Sequence, residues 1–313
     1  MEDFIFIKGT LSDGFKLEYE VSLFNLNEHR LLQSNGEWIS YHIIKEKKKV
    51  ALAGIHFHLS NGIASSPYRS PFGSIDASPD LEPSALFRFL QFIESDLLKS
   101  GVKSIIIKNP PTLFSPELQT LLQVFLSNLN YQIITAEPGA IFIVDKSGED
   151  LSANWEKRKI KQAHDIDLEL RHEEMNKLKA VYDFIHNCRF QKGYPSSITF
   201  DDLQRTVSAF PGRFLLSGVY QQGAMVAASI CVRCNQQVLY HFYSDHNTSD
   251  KSTNPTVFLI RSLYQYCFEN GIALFDLGTS SLDGIPNFGL LNFKIRLGAT
   301  PTTKFTFQKD LTE

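Results

Sequence analysis

Residues 272–299 read IALFDLGTSSLDGIPNFGLLNFKIRLGA, and the fold turns on how this stretch is parsed. Ala273 to Leu277 has the make-up of a short strand, with one carboxylate, Asp276, set among apolar residues. A polar, glycine-containing loop runs from Gly278 to Gly289. A short helical run follows, carrying the adjacent pair Phe293 and Lys294 on its apolar side, and ends at Gly298. A strand whose end gives way to small polar residues is where open α/β proteins place their chemistry. The other parsing is a surface connection leading into a capped helix.

Working outward, the elements that precede this stretch occur twice. Trp38 to Glu46 suits a strand, Lys45 to Lys49 a charged hairpin tip, and Val50 to Leu59 (VALAGIHFHL) the return strand. A Gly- and Ser-rich segment with Pro67, Pro71 and Gly73 interrupts a third strand. Pro83 starts an amphipathic helix to Ser100, with Leu86, Leu90, Ile93 and Leu97 on one face, and Gly101 stops it. Lys103 to Lys108 is a β-branched strand, residues 115–129 a helix with Ser115 at its N-cap, and Ile133 to Asp145 supplies the last strands. In the second half, Ala224 to Arg233 (AMVAASICVR) resembles VALAGIHFHL, and Val238 to Ser244 is the third strand. Pro255 then starts a helix with Val257, Ile260, Leu263 and Cys267 on one face, and Gly271 stops it before strand Ala273 to Leu277. The recurrence predicts a duplicated βββαβ unit in an α/β chain of mixed sheets. The domains divide as residues 1–148 and 149–313, side by side with a cleft opening between them. A polar link from Lys146 to Ala153, two helical segments reaching Asn187, a loop with Gly193 and Pro195, and a helix from about Phe200 join the copies.

With 313 residues the chain is long enough for two cores, and 43% apolar and 21% charged residues are ordinary for a soluble globular protein. A net charge of −3 argues against a general nucleic-acid coat. No apolar run reaches the ~18 residues a spanning helix needs, and MEDFIFIKG has no basic leader, so the expected location is cytoplasmic. Four scattered cysteines make no disulfide framework. Cys231-x-x-Cys234 lies in a strand with no partner pair at zinc spacing, so no metal site is expected. Walker loop, dinucleotide fingerprint, HExxH and nucleophile elbow are all missing, so serine hydrolysis is set aside.

The pattern Asp276-Leu-Gly-Thr-Ser280, loop, Phe293-Lys294-x-x-x-Gly298-Ala299 resembles the C-terminal core of Fem-type transferases. These belong to the GNAT (GCN-related N-acyltransferase) superfamily, carry two such folds in tandem, and include the aminoacyl-tRNA-dependent enzymes that build peptidoglycan cross-bridges. Residues 158–163 (RKIKQA) resemble the basic helix opening the second fold, and residues 66–73 (SPYRSPFG) a loop of the first. The resemblance implies two tandem GNAT-like domains, the second opening on a helix. It implies acyl or aminoacyl transfer to an amine by direct attack, in cell-wall or cell-envelope metabolism. The donor co-substrate is acyl-CoA or aminoacyl-tRNA, and no cofactor is tightly bound. The acceptor is a small molecule or resembles a peptidoglycan precursor; tRNA is a candidate partner and DNA is not.

Among the residues, Lys294 is associated in the family with the phosphate-rich donor and with charge developing during transfer. One ammonium near a tetrahedral oxyanion in a dry cleft contributes several kcal/mol; the alternative is a snorkelling side chain on an amphipathic helix. Asp276 either orients or deprotonates the attacking amine or accepts hydrogen bonds from loop N–H groups. Alternation over Leu239 to Asp245 puts His241, Tyr243 and Asp245 on one face and Tyr240, Phe242 and Ser244 on the other. In GNAT proteins this strand splays from its neighbour and receives the donor acyl group, which makes His241 and Tyr243 substrate contacts, with Phe293 beside Lys294; cross-strand aromatic packing is the alternative. Lys294 is then expected within ~10–12 Å of that face, around one pocket. Tyr68 and Arg69 are implied in an acceptor groove, and Arg158 beside Lys161 in facing phosphate or solvent. Residues 249–255 (SDKSTNP) hold Lys251 and Thr253 as donor-phosphate candidates but lack the glycines of acetyl-CoA-dependent GNAT enzymes, which weighs against acetyl-CoA. Two competing classes remain: an acyl-CoA-dependent GNAT enzyme acting on a small-molecule or lipid amine, and a binding module that kept the fold and lost the chemistry.

Overall fold

The structure is a computed structural model that describes residues 4–145, 168–194, 198–247, 254–282 and 284–311. The chain forms two units. Unit 1 is Met1–Glu137 with Asp283–Ile285 and Thr302–Glu313; unit 2 is Pro138–Leu282 with Pro286–Pro301.

Unit 1 runs β1 (Ile5–Lys8), α1 (Asn27–Gln33), β2 (Glu37–Lys45), β3 (Val50–Ser60), β4 (Ile63–Ser66), α2 (Pro83–Lys99), β5 (Ser104–Lys108), α3 (Pro116–Asn128) and the first half of β6 (Gln132–Ile143). The strands β1 to β4 pair antiparallel in sequence order, and β4 pairs parallel with β5. Proline at the first turn of α2 and α3 needs no N–H there, and Gly101 at φ +79° turns the chain out of α2 as only glycine does cheaply. Leu86, Phe89, Leu90, Ile93 and Leu97 of α2 pack with Tyr41, Ile43, Ile55 and Phe57 of the sheet. The other face of the same hairpin is polar. There Ser40 stands opposite His56, His42 opposite Gly54, and Trp38 opposite His58.

Unit 2 takes the second half of β6, then β7 (Leu168–Glu173), α4 (Leu178–Gln191), α5 (Phe200–Ala209), β8 (Phe214–Gln221), β9 (Ala224–Arg233), β10 (Val238–His246), α6 (Pro255–Glu269), β11 (Leu274–Thr279), α7 (Phe288–Arg296) and the start of β12 (Thr300–Asp310). Its strand order is β6-β11-β10-β9-β8-β7. As in unit 1, successive antiparallel pairings (β8–β9, β9–β10) are followed by a parallel one (β10–β11), so the βββαβ order recurs. Val257, Ile260, Leu263, Tyr264 and Cys267 of α6 close the core over Cys231, Leu239 and Phe275.

Two expectations are corrected. The helical segments expected up to Asn187 give way at Leu168–Glu173 to a strand, β7, paired antiparallel with β8. Its residues are fair helix formers, but the open edge of β8 supplies a full ladder of backbone partners, and tertiary pairing outweighs propensity. Strand β11 also runs two residues past Leu277, through Gly278 to Thr279, so Asp276 lies inside the strand. The expected helix-first opening of the second domain, with Arg158, falls outside the described residues.

Leu263 is wholly buried in the unit 2 core, whereas Leu282 is 62% exposed. Leu263→Ala is expected to cost ~2–5 kcal/mol, read as a fall in the urea midpoint. Leu282→Ala should stay within about 0.5 kcal/mol of wild type in the same measurement.

Candidate active site

The parallel ladder between β10 and β11 is short. It pairs Val238 with Leu274, Leu239 with Phe275 and Tyr240 with Asp276, and goes no further. Both strands continue: β10 runs on along β9 to His246, and β11 pairs with β6 at Thr279–Gly139. The strands therefore part just beyond Tyr240 and Asp276. Each carries an irregularity there. Strand β10 has a bulge at Phe242, because His241 pairs with Cys231 and Tyr243 with the adjacent Ile230. Strand β11 breaks register between Asp276 and Thr279, where Gly278 takes φ +76°. A Cβ at this glycine would also lie 3.4 Å from the Tyr240 ring.

The turn at Gly278 has a chemical consequence. Successive carbonyls in a regular strand point to opposite sides, but those of Gly278 and Thr279 both accept from the Lys294 ammonium, at 2.8 and 2.9 Å. Lys294 reaches them from α7, whose first turn is capped by the Asn287 side chain accepting from the Leu290 N–H. It is only 5% exposed, and burial pulls its pKa down to about 8 while the Asp276 carboxylate pushes the other way. Asp276 is 2% exposed and accepts the Gly278 N–H at 2.7 Å, so the carboxylate helps fix the same turn. The His241 imidazole is within electrostatic reach of Lys294. Burial first, then that ammonium, push its pKa down to about 3, so the ring is neutral at physiological pH. Its Nε2 is buried without a hydrogen-bond partner, and its edge meets the Phe275 ring at 5.9 Å. Two of the three ammonium protons are used by backbone. The grouping is a desolvated cation with one donor to spare, beside a neutral imidazole.

The bulge overturns the expected grouping of His241, Tyr243 and Asp245 on one face. Cross-strand partners share a face, so His241 lies with Cys231 while Tyr243 and Asp245 lie with Ile230 and Ala228 on the opposite side. Tyr243 stacks on Tyr182 of α4 at 5.7 Å under the Arg189 guanidinium, and Asp245 pairs with Lys192. Phe293 packs against the apolar cluster around α6. In unit 1, Tyr68 is 45% exposed and stacks on His58 at 4.0 Å, and the Arg69 N–H donates to Gln33 Oε1 at 3.0 Å. Lys251, Thr253 and Arg158 lie outside the described residues. The four cysteines are free and buried, and burial raises the Cys231 thiol to about 12, which keeps it protonated. Sequence reading misses the Gly278 and Thr279 carbonyls, although a glycine directly after a strand is their signal. It also misses the polar face of β2–β3, signalled by histidines at alternate positions 56 and 58.

Residues 154–288 match the acetyltransferase (GNAT) domain family. No curated protein matches the chain in sequence. Among solved structures the chain is similar to FemX, at 12% identity and a TM-score of 0.72 with 94% of each chain covered. It is similar also to L-PGS from Bacillus licheniformis, at 14% identity and a TM-score of 0.54 over 84% of this chain and 82% of that one. A tandem GNAT protein from the clavulanic acid biosynthesis pathway covers 99% of both chains at 8% identity and a TM-score of 0.51. At such identities the likeness is one of fold: the chain has a Fem-type GNAT fold.

Proposed function

We propose that the chain transfers an acyl or aminoacyl group from a thioester or tRNA donor to an amine. The observation that carries this reading is the parting of β10 from β11 after three residue pairs, with a buried ammonium anchored on the carbonyls at the end of β11. Parted strands leave backbone groups free to hold an acyl chain, and the ammonium supplies a fixed positive charge at that end. The amine attacks the acyl carbonyl directly, the new C–N bond forms, and the C–S or C–O bond to the donor breaks. The amine proton leaves with the thiol or the ribose hydroxyl. Lys294 stabilises the tetrahedral oxyanion with its remaining N–H. His241, too weak a base at a pKa of about 3 to carry the proton, offers Nε2 as one hydrogen bond to a substrate group. Asp276 holds the Gly278 turn.

The fold likeness to FemX supports an aminoacyl donor and an acceptor resembling a peptidoglycan precursor. The GNAT domain match over residues 154–288 supports the second reading, an acyl-CoA donor with a small-molecule or lipid amine. Both donors are cytoplasmic molecules, which supports a cytoplasmic location; among the described residues no helix is long and apolar enough to cross a membrane. Thermal-shift measurements with acetyl-CoA, charged tRNA and nucleotide-linked peptides separate the donors and acceptors. Stabilisation by none of them would favour a binding module without chemistry.

Lys294→Met keeps the packing of the stem and removes the charge, so turnover should fall on the order of 10²-fold. Unchanged turnover would reject the assignment. The ammonium is the active form, so the wild-type rate should drop as pH rises through about 8. Lys294→Arg, charged at every usable pH, should lose that limb.

The same charge gives a stability signature. The folded pKa of Lys294 lies below the unfolded 10.5, so the unfolded chain binds the extra proton between the two values and stability rises with pH there. The cost of burying the charge is therefore fully present below about pH 8 and gone by about pH 10.5. Wild type should gain about 3 kcal/mol on Lys294→Met across that window. Parallel stability curves would mean that the ammonium is not desolvated.

A further inference from the structure

On unit 1, the polar face of the β2–β3 hairpin carries a charge with no bonded counter-ion among the described residues. Arg30 of α1 is 8% exposed. Its guanidinium donates to Ser40 Oγ and Asn27 Oδ1, each at 3.2 Å, and lies 5.7 Å from the Trp38 ring. Its Nε–H is buried with no acceptor. Among the described residues no carboxylate bonds it, and Glu28 acts through space. The half-buried carboxylate on the same sheet, Asp76, is held instead by the Asn25 side chain at 2.8 Å and the Ser22 N–H at 3.1 Å, and desolvation raises its pKa to about 7, which makes it a poor counter-ion.

Arg30 is flanked by groups that stay neutral. His56 Nδ1 bonds Ser40 Oγ at 2.8 Å, and the His42 ring stands 5.6 Å from the His56 ring. Burial lowers both imidazoles, and the Arg30 charge lowers them further. His42 is 5% exposed, and its Nδ1 is buried with no partner. Gly54 leaves the space that this ring and the Tyr19 hydroxyl use, because a Cβ there would lie 3.0 Å from His42 Nδ1 and 2.6 Å from the hydroxyl. A guanidinium cannot shed its proton to relieve burial, and an unpaired buried charge is strongly unfavourable. Neutral imidazoles and a serine hydroxyl solvate it in part but supply no negative charge. Two buried, unused polar atoms on a cationic site describe half of a hydrogen-bonded ion pair, with the other half brought from outside.

We infer that Arg30, Ser40, His42 and His56 form a binding site for an oxyanion, the carboxylate or phosphate of a small molecule. Arg30 provides the charge and a free Nε–H, Ser40 a hydroxyl already oriented by His56, and His42 a second hydrogen bond through Nδ1. The site lies wholly in unit 1 and is independent of the transfer reaction proposed above, so either can fail without the other.

The test uses the full chain at fixed ionic strength, with chloride as reference and inorganic phosphate or acetate in separate arms. Thermal midpoint and titration calorimetry are expected to show saturable binding of at least one of them. Phosphate alone assigns a phosphoryl group, acetate alone a carboxylate, and no difference from chloride overturns the inference. Arg30→Met should fold with a midpoint in chloride at or above wild type, since only the uncompensated charge is lost, and should bind the anion ~10-fold or more weakly. Retained affinity in that variant overturns the site. Should Arg30→Met not fold, the assigned Arg30 Nε–H resonance of wild type and of Ser40→Ala decides. It must move on titration in wild type with a weaker response in the variant, and a resonance that stays fixed overturns the proposal.

Discussion

One lysine bonded to two successive carbonyls is the interaction on which unit 2 depends. Lys294 ties α7 to the end of β11 through Gly278 and Thr279, and it does so only because Gly278 takes a conformation that turns both carbonyls the same way. Asp276 accepts the Gly278 N–H and secures the turn from inside the strand. These four residues link the last helix to the point where β10 and β11 part, and the Lys294 and Asp276 side chains are nearly free of water. A buried ammonium and a buried carboxylate in electrostatic reach of one another are costly to assemble and easy to spoil. Such arrangements persist at functional sites when the surrounding fold over-determines them.

Much of the fold is legible in the sequence because it rests on local signals. Proline at the start of α2, α3 and α6, glycine after α2 and α6, and one apolar face on each helix place the elements within a residue or two. The repeat of strand pairs then orders them. What escapes is what depends on partners. The strand Leu168–Glu173 is built from helix-tolerant residues and exists because β8 offers it a ladder. The bulge at Phe242 leaves no mark in LYHFYSD, a run of aromatic and polar residues that fits a regular strand equally well. That one inserted residue separates His241 from Tyr243 and Asp245. Lys294 and Asp276 could be singled out because a charge in an apolar setting is conspicuous at the level of composition; the carbonyls that hold Lys294 belong to the backbone and have no such signature.

The two hairpins that occupy the same place in the βββαβ order solve the burial of polar groups differently. In unit 2, β8–β9 buries Ser217 directly opposite Ser229. Ser217 shares a hydrogen bond with His172 of β7 at 3.0 Å, and Ser229 one with Cys231 at 3.2 Å, so neutral groups of the chain satisfy the pair. In unit 1, β2–β3 buries Ser40 opposite His56, and the group that comes down on them is a guanidinium. A neutral polar pair can be closed from within the fold at little cost, and natural proteins nearly always close it. A cation closed in by neutral partners is different in kind, because hydrogen bonds redistribute its charge without cancelling it. Had Arg30 served packing alone, a methionine or leucine against Trp38 would do so without the desolvation cost. The charge is therefore more economically explained by something it binds than by the fold it sits in, and the neutral state that burial, with Arg30, imposes on His42 and His56 keeps those rings available as hydrogen-bond partners over the whole physiological pH range.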